Sequence, residues 1–341
     1  MEMTKEQIKN LISKGEFPET AGQRELIETH ISWVIVCDQF VYKIKKPVQY
    51  SFLDFSTLEL RKHFCQREIE LNKRITDNVY IDVQPVYEWQ GSYRIAGNEG
   101  TIIDYAVRMH KIDRENQMDV LLLQNKVTGL HIQNLAEKIA FFHKKTGIIY
   151  KKNFLDIQEK FNDLETEKEF LGGQLGKKSS DSINRAIETS DTFMEKNKVL
   201  LAARLGAGFF RDCHGDLHSR NIFLLPAPLP FDCIEFNDDF RQIDVLNEVA
   251  FLCMDLDALG RQDLSVLFIE YYNHFFPAMK TREDRSLFIY YKSYRANIRA
   301  KVNSLRAKSA TDNTDKIKAL SAADKYLCLM ESYMKSPDMI L

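Results

Sequence analysis

The sequence has no Cys-x-x-Cys pair and no G-x-G-x-x-G string, and its apolar runs stop short of the ~20 residues a membrane span needs. Neither a zinc knuckle nor a disulfide framework is thereby suggested, and the six cysteines read as mostly buried thiols in a reducing compartment. Glycine (14) and proline (8) are too sparse for a collagenous or low-complexity chain. Charge of one sign is lacking as well: 47 Lys plus Arg face 49 Asp plus Glu, a formal net charge of -2. This balance excludes the whole-chain field of a dedicated nucleic-acid binder, so no nucleic-acid partner is expected and a charged partner must meet a local patch. The polar, amphipathic segment 1–14 lacks the apolar core of a signal peptide. A soluble, cytoplasmic protein with no membrane partner is the expectation, and no feature sets an oligomeric state. What is there is 44% hydrophobic residues over 341 positions, enough for roughly two folding units without staples.

Residues 31–47 are β-rich. ISWVIV, a turn at Cys37-Asp38-Gln39 and FVYKIKK predict an antiparallel hairpin. In its second strand Phe40, Tyr42 and Ile44 share one face, and Val41, Lys43 and Lys45 the other. Ser56-Thr57-Leu58-Glu59 fits a capping box opening a helix to about Ile75. Strands follow around 83–89 and 101–109, separated by a Gly/Asn-rich turn. Beyond Lys111 the periodicity is helical, near 116–124, 131–145, 155–170, 182–203, 243–275, 284–306 and 318–335. Residues 212–236 interrupt it as loop, strand, Pro-rich turn and strand. The expected fold is α+β and two-lobed: a β-rich lobe with one helix over 1–110, and a mainly helical lobe over 111–341 carrying a hairpin.

The densest polar cluster is His214-Gly215-Asp216-Leu217-His218-Ser219-Arg220-Asn221, between a helix and an apolar strand. Its D-x-x-x-x-N spacing is that of a kinase catalytic loop, in which the Asp orients the substrate hydroxyl and the Asn ligates Mg²⁺. A metal pair of His214 and His218 at i,i+4 needs a helix where Gly215 and Asp216 read as loop. A dimetal phosphoesterase site needs further ligand strings that are absent. A second carboxylate should follow across the short hairpin. Asp232 emerges beside the Asn221 end, and Glu235, three residues on, takes that role if the turn is longer. In the β-rich lobe, Lys43 follows alternating apolar residues, and Lys45 shares its face. Glu68 falls within the helical stripe Leu60, Phe64, Leu71, Ile75, where a carboxylate needs a partner, whereas Glu70 points away and reads as solvated.

The set VYKIKK, a helix Glu, HGDLHSRN and FDCIEF resembles the aminoglycoside phosphotransferase-like branch of the protein-kinase-like superfamily. THISWV, YKIKKPV, FLDFSTLE, HGDLHSRNI and FDCIEFND are similar to a bacterial group of uncharacterised aminoglycoside phosphotransferase family proteins, over roughly residues 28–300. The resemblance implies ATP and Mg²⁺ as cofactors and transfer of the γ-phosphate to a hydroxyl of a small molecule. It implies Asp216 as catalytic base, Asn221 and Asp232 as metal ligands, Lys43 as phosphate anchor and Glu68 as its partner. It also implies a hinge near Met109 and His110 giving backbone bonds to adenine.

Departures from that pattern are specific. The turn that would cover the phosphates, Glu28-Thr29-His30-Ile31-Ser32, has no glycine, which motivates a second reading as a catalytically inactive nucleotide-binding regulatory module. Asp-Cys-Ile replaces D-F-G and no A-P-E follows, which argues against a protein substrate. GGQLGKKS at 172–179 fails as a P-loop and reads as an exposed turn. Between Lys292 and Lys308 six basic residues occur without an acid, with Lys292, Arg295 and Arg299 on one helical stripe. Such a run is ordinarily a solvated face. Lining a cleft, Arg295 and Arg299 would favour an anionic acceptor. Phe141, Phe142 and His143 read as core.

Overall fold

The computed structural model describes residues 3–18 and 22–339. The chain begins with α1 (Lys5–Lys14), β1 (Glu25–Glu28), β2 (Ser32–Val36), β3 (Phe40–Lys45), the short β4 (Gln49–Tyr50) and β5 (Leu53–Asp54), and α2 (Leu58–Asn72). Then come β6 (Tyr80–Trp89), β7 (Ser92–Ile95), β8 (Thr101–His110), α3 (Met118–Leu123), α4 (Gly129–Lys145), α5 (Asp156–Asn162), α6 (Lys168–Leu175), α7 (Lys177–Gly206) and β9 (Phe210–Asp212). The last elements are β10 (Ile222–Phe223), β11 (Leu229–Pro230), α8 (Asp238–Arg241), β12 (Gln242–Asp244), α9 (Val245–Ala258), α10 (Gln262–Phe275), α11 (Arg282–Ser309) and α12 (Asn313–Met334). They group into two compact units, Met1–Leu121 with Asn221–Phe240, and Leu122–Arg220 with Arg241–Leu341. The 221–240 segment, which a boundary at 110 assigns to the second lobe, clusters with the first unit.

The first unit is an antiparallel sheet in the order β1-β2-β3-β8-β6-β7. Strand alternation in β3 divides it as expected. Tyr42 and Ile44 join a core with Ile8 and Leu11 of α1, Trp33, Ile35, Val86, Ile95 and Ala106. Val41 meets the opposite core, where Cys65 and Ile69 of α2 pack with Tyr80, Val107 and Met109. Each helix thus seals one face. Two strands of this sheet escape the sequence reading: β1 is almost entirely exposed and β7 fully buries only Ile95, so neither shows a sustained hydrophobic alternation.

Helix α2 departs from expectation by one position. Thr57, not Ser56, is its N-cap and accepts from the Leu60 amide at 3.2 Å, because the Ser56 amide and hydroxyl both donate to Asp54 Oδ1. The helix ends at Asn72, and its buried face carries Arg61, Cys65, Glu68, Ile69, Leu71 and Asn72. Arg61 is tolerated there because Nε meets buried Asp104 at 2.9 Å and Nη1 donates to the Phe55 carbonyl at 3.0 Å.

The second unit is helical apart from the β9–β12 pair. Buried Arg204 of α7 ties two helix starts and a loop together, donating to Asp244 before α9 (2.6 and 2.9 Å), to Asp284 of α11 (2.7 Å) and to the Ala278 carbonyl between α10 and α11 (2.8 Å). The single helical stretch expected over 243–275 is two helices, broken at Gly260, whose φ of +75° a side chain would resist. The expected turn at 172–179 is instead the end of α6 and the start of α7, with Gly176 (φ +96°) the one break. Phe141 is exposed, while Phe142 and His143 are buried as expected.

Candidate active site

In the first unit, β3 presents Lys43 and Lys45 on the face covered by α2, and Glu68 stands between them. Lys43 Nζ lies 2.9 Å from Glu68 Oε1, and Lys45 Nζ lies 2.7 Å from Glu68 Oε2. Each lysine has a second carboxylate: Asp232 at 2.6 Å for Lys43, and Glu235 for Lys45. The alternatives left open by the sequence therefore form two parallel pairs, and they differ in access. Lys45 and Glu235 are 0% and 4% exposed, with Lys45 also over the Phe55 ring, whereas Lys43 is 12% and Asp232 41% exposed. Burial opposes the lysine charges, but Asp232 and Glu68 overcome it at Lys43, and Glu235 and Glu68 do so at Lys45, so both pKa values rise. Glu68, despite its burial, is held down to about 2 by the two lysines. Glu235 is pushed up by burial and by the charge of Glu68. Glu70 is exposed and meets Arg67 at 3.2 Å, as its helix position predicts.

The Asp232 loop is fastened by side chains the sequence reading passed over. Asp232 adopts a left-handed backbone (φ +63°), a conformation Asp tolerates better than most residues. Its amide donates to Tyr80 Oη at 3.1 Å, and the Cys233 amide donates to Asn72 Oδ1 at 3.0 Å. Thr76 donates its hydroxyl to the Pro230 carbonyl. The β10–β11 hairpin closes with the Phe231 amide on the Asn221 carbonyl at 2.9 Å, so Asp232 follows directly beside buried Asn221.

Met109 and His110 remain inside the sheet. Met109 is paired with Val41 on one side and Tyr80 on the other. The His110 amide donates to Val79 and the Lys111 amide to Gln39, at 2.9 and 2.8 Å, so these two donors are already committed. The turn at 28–32 joins β1 to β2 without glycine because none of its residues takes a positive φ. The Thr29 amide donates to the Ser32 carbonyl and the Ser32 amide to Thr29 Oγ1, both at 2.9 Å, and Lys46 grips Glu28 and the Thr29 carbonyl.

In the second unit the 214–219 loop hangs on carboxylates from α9. Buried Glu248 accepts from the amides of His214 (2.7 Å) and Gly215 (3.0 Å), and Asp255 accepts from the Ser219 amide (2.9 Å) and hydroxyl (2.5 Å). Gly215 sits at φ +90°, which lets the chain turn between these anchors. Arg295 of α11 is spent on the same scaffold: Nε donates to Asn247 Oδ1 at 2.7 Å and Nη1 to the Gly215 carbonyl at 3.3 Å. Lys292 pairs with Asp257.

Held this way, Asp216 keeps its side chain 36% exposed while His218 Nε2 approaches its Oδ2 at 3.3 Å. His218 Nδ1 accepts the Arg220 amide at 3.2 Å, which leaves the ring proton on Nε2, facing Asp216. Burial alone would raise the Asp216 carboxyl. The Nε2–H of His218 directed at it, with His214 and the Arg299 guanidinium close by, outweighs it and holds Asp216 well below the usual carboxylate range. His143 donates or accepts at Nδ1 with Tyr272 Oη, 2.8 Å away, and its buried Nε2 has no hydrogen-bond partner among the described residues.

A curled antiparallel sheet with a charged Lys-Glu-Asp ladder, followed by a helical unit carrying the H-G-D loop, matches known architectures along its length. The chain has the protein-kinase-like fold. A choline/ethanolamine kinase family protein from Mesorhizobium loti aligns with a TM-score of 0.53 over 99% of this chain and 97% of its own, at 11% identity. A thermostable mutant of an aminoglycoside phosphotransferase aligns at 0.52 over 94% and 98%, at 13% identity. Plasmodium vivax ethanolamine kinase aligns at 0.51 over 93% and 84%, at 9% identity. In sequence, uncharacterised proteins of Mycobacterium tuberculosis and Mycobacterium bovis are 31% identical over 287 residues, 82% of this chain. The chain spans about half the length (54%) of these curated relatives. No protein-family profile matches the sequence.

Proposed function

We propose that this protein transfers the γ-phosphate of Mg²⁺-ATP to a hydroxyl of a small molecule. The observation that carries this reading is the contrast within the lysine ladder. Lys43 and Asp232 are paired yet open to solvent, beside a Lys45–Glu235 pair that is sealed. A buried-only ion pair is architecture; an open one, anchored from behind by Glu68, is available to a ligand. The solved structures that share the fold bear the names of a choline/ethanolamine kinase family protein, an ethanolamine kinase and an aminoglycoside phosphotransferase, which supports small-molecule phosphotransfer over protein phosphorylation.

Lys43 would hold the α/β-phosphates, with Glu68 fixing its direction. The amide oxygen of Asn221 and the carboxylate of Asp232 are hard oxygen donors of the kind Mg²⁺ prefers, and these two residues would hold the ion. When bound, Mg²⁺ neutralises phosphate charge during transfer. The 28–32 turn would lie over the phosphates, and the segment by which the chain leaves β8 would meet the base. Asp216, kept ionised, would orient the acceptor hydroxyl and take its proton as the new O–P bond forms and the bond to the departing ADP oxygen breaks.

Thermal melting with ATP plus Mg²⁺, against ATP plus EDTA, tests the reading on wild type and Asp232→Ala. A ligand at 100 times its Kd adds about 2.7 kcal/mol, several degrees of melting temperature. The expected result is a metal-dependent rise that Asp232→Ala loses. No rise under any condition would overturn the assignment. A rise without ADP formation, across a broad panel of hydroxyl compounds, would favour the inactive nucleotide-binding module.

A further inference from the structure

On the basic stripe of α11, Lys292 is neutralised by Asp257 and Arg295 is consumed by Asn247 and Gly215. Arg299 is the exception. Among the described residues no carboxylate lies within ion-pair distance of its guanidinium, and Nε is sealed from solvent without a hydrogen-bond partner. Its aromatic neighbour is Tyr326 of α12, with the guanidinium 5.4 Å from the ring centre. The acids whose charge reaches it are already engaged: Asp255 by Ser219 and Asp216 by His218. Arg299 nonetheless lies close enough for its charge to act on both Asp216 and Asp255. Tyr326 and the charges of Asp255 and Asp216 outweigh the cost of enclosing the guanidinium, so it stays charged, while its Nε–H is unused and no carboxylate is its own.

We propose that Arg299 binds an anionic group, carboxylate or phosphate, of the molecule whose hydroxyl Asp216 orients. The proposal rests on the phosphotransfer reading and narrows the acceptor to an anionic alcohol. A guanidinium offers two parallel N–H donors to either anion, which fixes both position and direction of the bound molecule. A polycationic or quaternary-ammonium acceptor would meet like charge at the same point.

The test compares glycerol, glycerate and glycerol 3-phosphate as acceptors with wild type, Arg299→Lys and Arg299→Met. The expected result is preference for one or both anionic compounds over glycerol, the two arms separating carboxylate from phosphate. Arg299→Met should lower kcat/KM for the preferred anion about 10- to 100-fold, with a smaller change for glycerol, and Arg299→Lys should retain part of the preference. In parallel, inorganic phosphate and glycerate alone should raise the melting temperature of wild type and not of Arg299→Met; this arm decides if none of the three compounds is turned over. Equal use of glycerol, unchanged selectivity in Arg299→Met, or no anion-dependent rise would overturn the proposal. If the Mg²⁺-ATP shift survives while these arms fail, the anionic acceptor alone is wrong. If the nucleotide shift is absent, the phosphotransfer reading fails and the acceptor role of Arg299 falls with it.

Discussion

The two charged regions are built on opposite plans. Around Glu68, two lysines and three carboxylates satisfy one another through side chains alone. Around Asp216, the buried carboxylates of Glu248 and Asp255 instead grip backbone amides, and so hold the loop itself in shape. Side-chain pairs can exchange partners when a ligand arrives, whereas amide anchors cannot let go without deforming the loop. The first region is therefore equipped to trade contacts, and the second to stay still while presenting one carboxylate.

The largest effect expected from breaking this contrast is at the presented carboxylate. Asp216→Asn should reduce phosphotransfer by about 10²- to 10⁴-fold while leaving the Mg²⁺-ATP melting shift intact, as measured by ADP release and thermal melts side by side. Retained turnover would remove Asp216 from the role of base.

Next come the twin lysines, which should fail in different ways. Lys43→Ala should lower turnover by about 10²- to 10³-fold with a smaller stability loss than Lys45→Ala, because it leaves one buried oxygen of Glu68 unpaired but returns Asp232 to solvent. Lys45→Ala should cost about 3–5 kcal/mol in denaturant melts, because it strands Glu235 and half of Glu68 in a dry interior. Reversed phenotypes would mean that the phosphate anchor is Lys45.

The amide-anchored region has a pH signature of its own. Burial, only partly countered by Arg295, raises the Glu248 carboxyl from its ordinary 4.5 to about 7. A raised acid is more easily kept neutral in the folded chain than in the unfolded one. Its contribution is thus full below pH 4.5 and is lost as pH rises through 7. The stability difference between wild type and Glu248→Gln should therefore decline across that window, by roughly 3 kcal/mol at most. A flat difference would show that the anchor is ionised throughout.

The β2–β3 hairpin, the polar loop and the pairing of Lys43 with Glu68 were legible in the sequence because each rests on periodicity or on a charged residue in an apolar stripe. The same stripe rule, applied to VLNEVAFLCMDLDA, would have singled out Glu248 and Asp255, which lie seven residues apart in a helix whose residues 245–257 are all buried. Tyr80 and Asn72 gave no such signal, since a strand tyrosine and a helix-end asparagine are ordinary until the segment they fasten is known. Strand β1 was illegible for a different reason: it is held by its ladder to β2, with almost no buried side chain to mark it. Arg295 and Arg299 look equivalent in sequence, four residues apart on one stripe. Only the packing of Asn247 and Gly215 against the first separates them.

The first unit is assembled from two stretches of chain about a hundred residues apart, with Asn221–Phe240 returning to it after residues 122–220 have gone elsewhere. During synthesis the sheet can form early, but the segment carrying Asn221, Asp232 and Glu235 does not exist until residue 240 has left the ribosome. Until then Lys45 and Glu68 have no Glu235, and the apolar surface of α2 and β8 lacks Leu229 and Phe231. The nascent chain consequently passes through a long interval with an unfinished interior, the kind of species that depends on chaperones or aggregates. For the same reason no single cut between 121 and 221 yields a complete first unit, so fragments for biophysical work must keep both stretches.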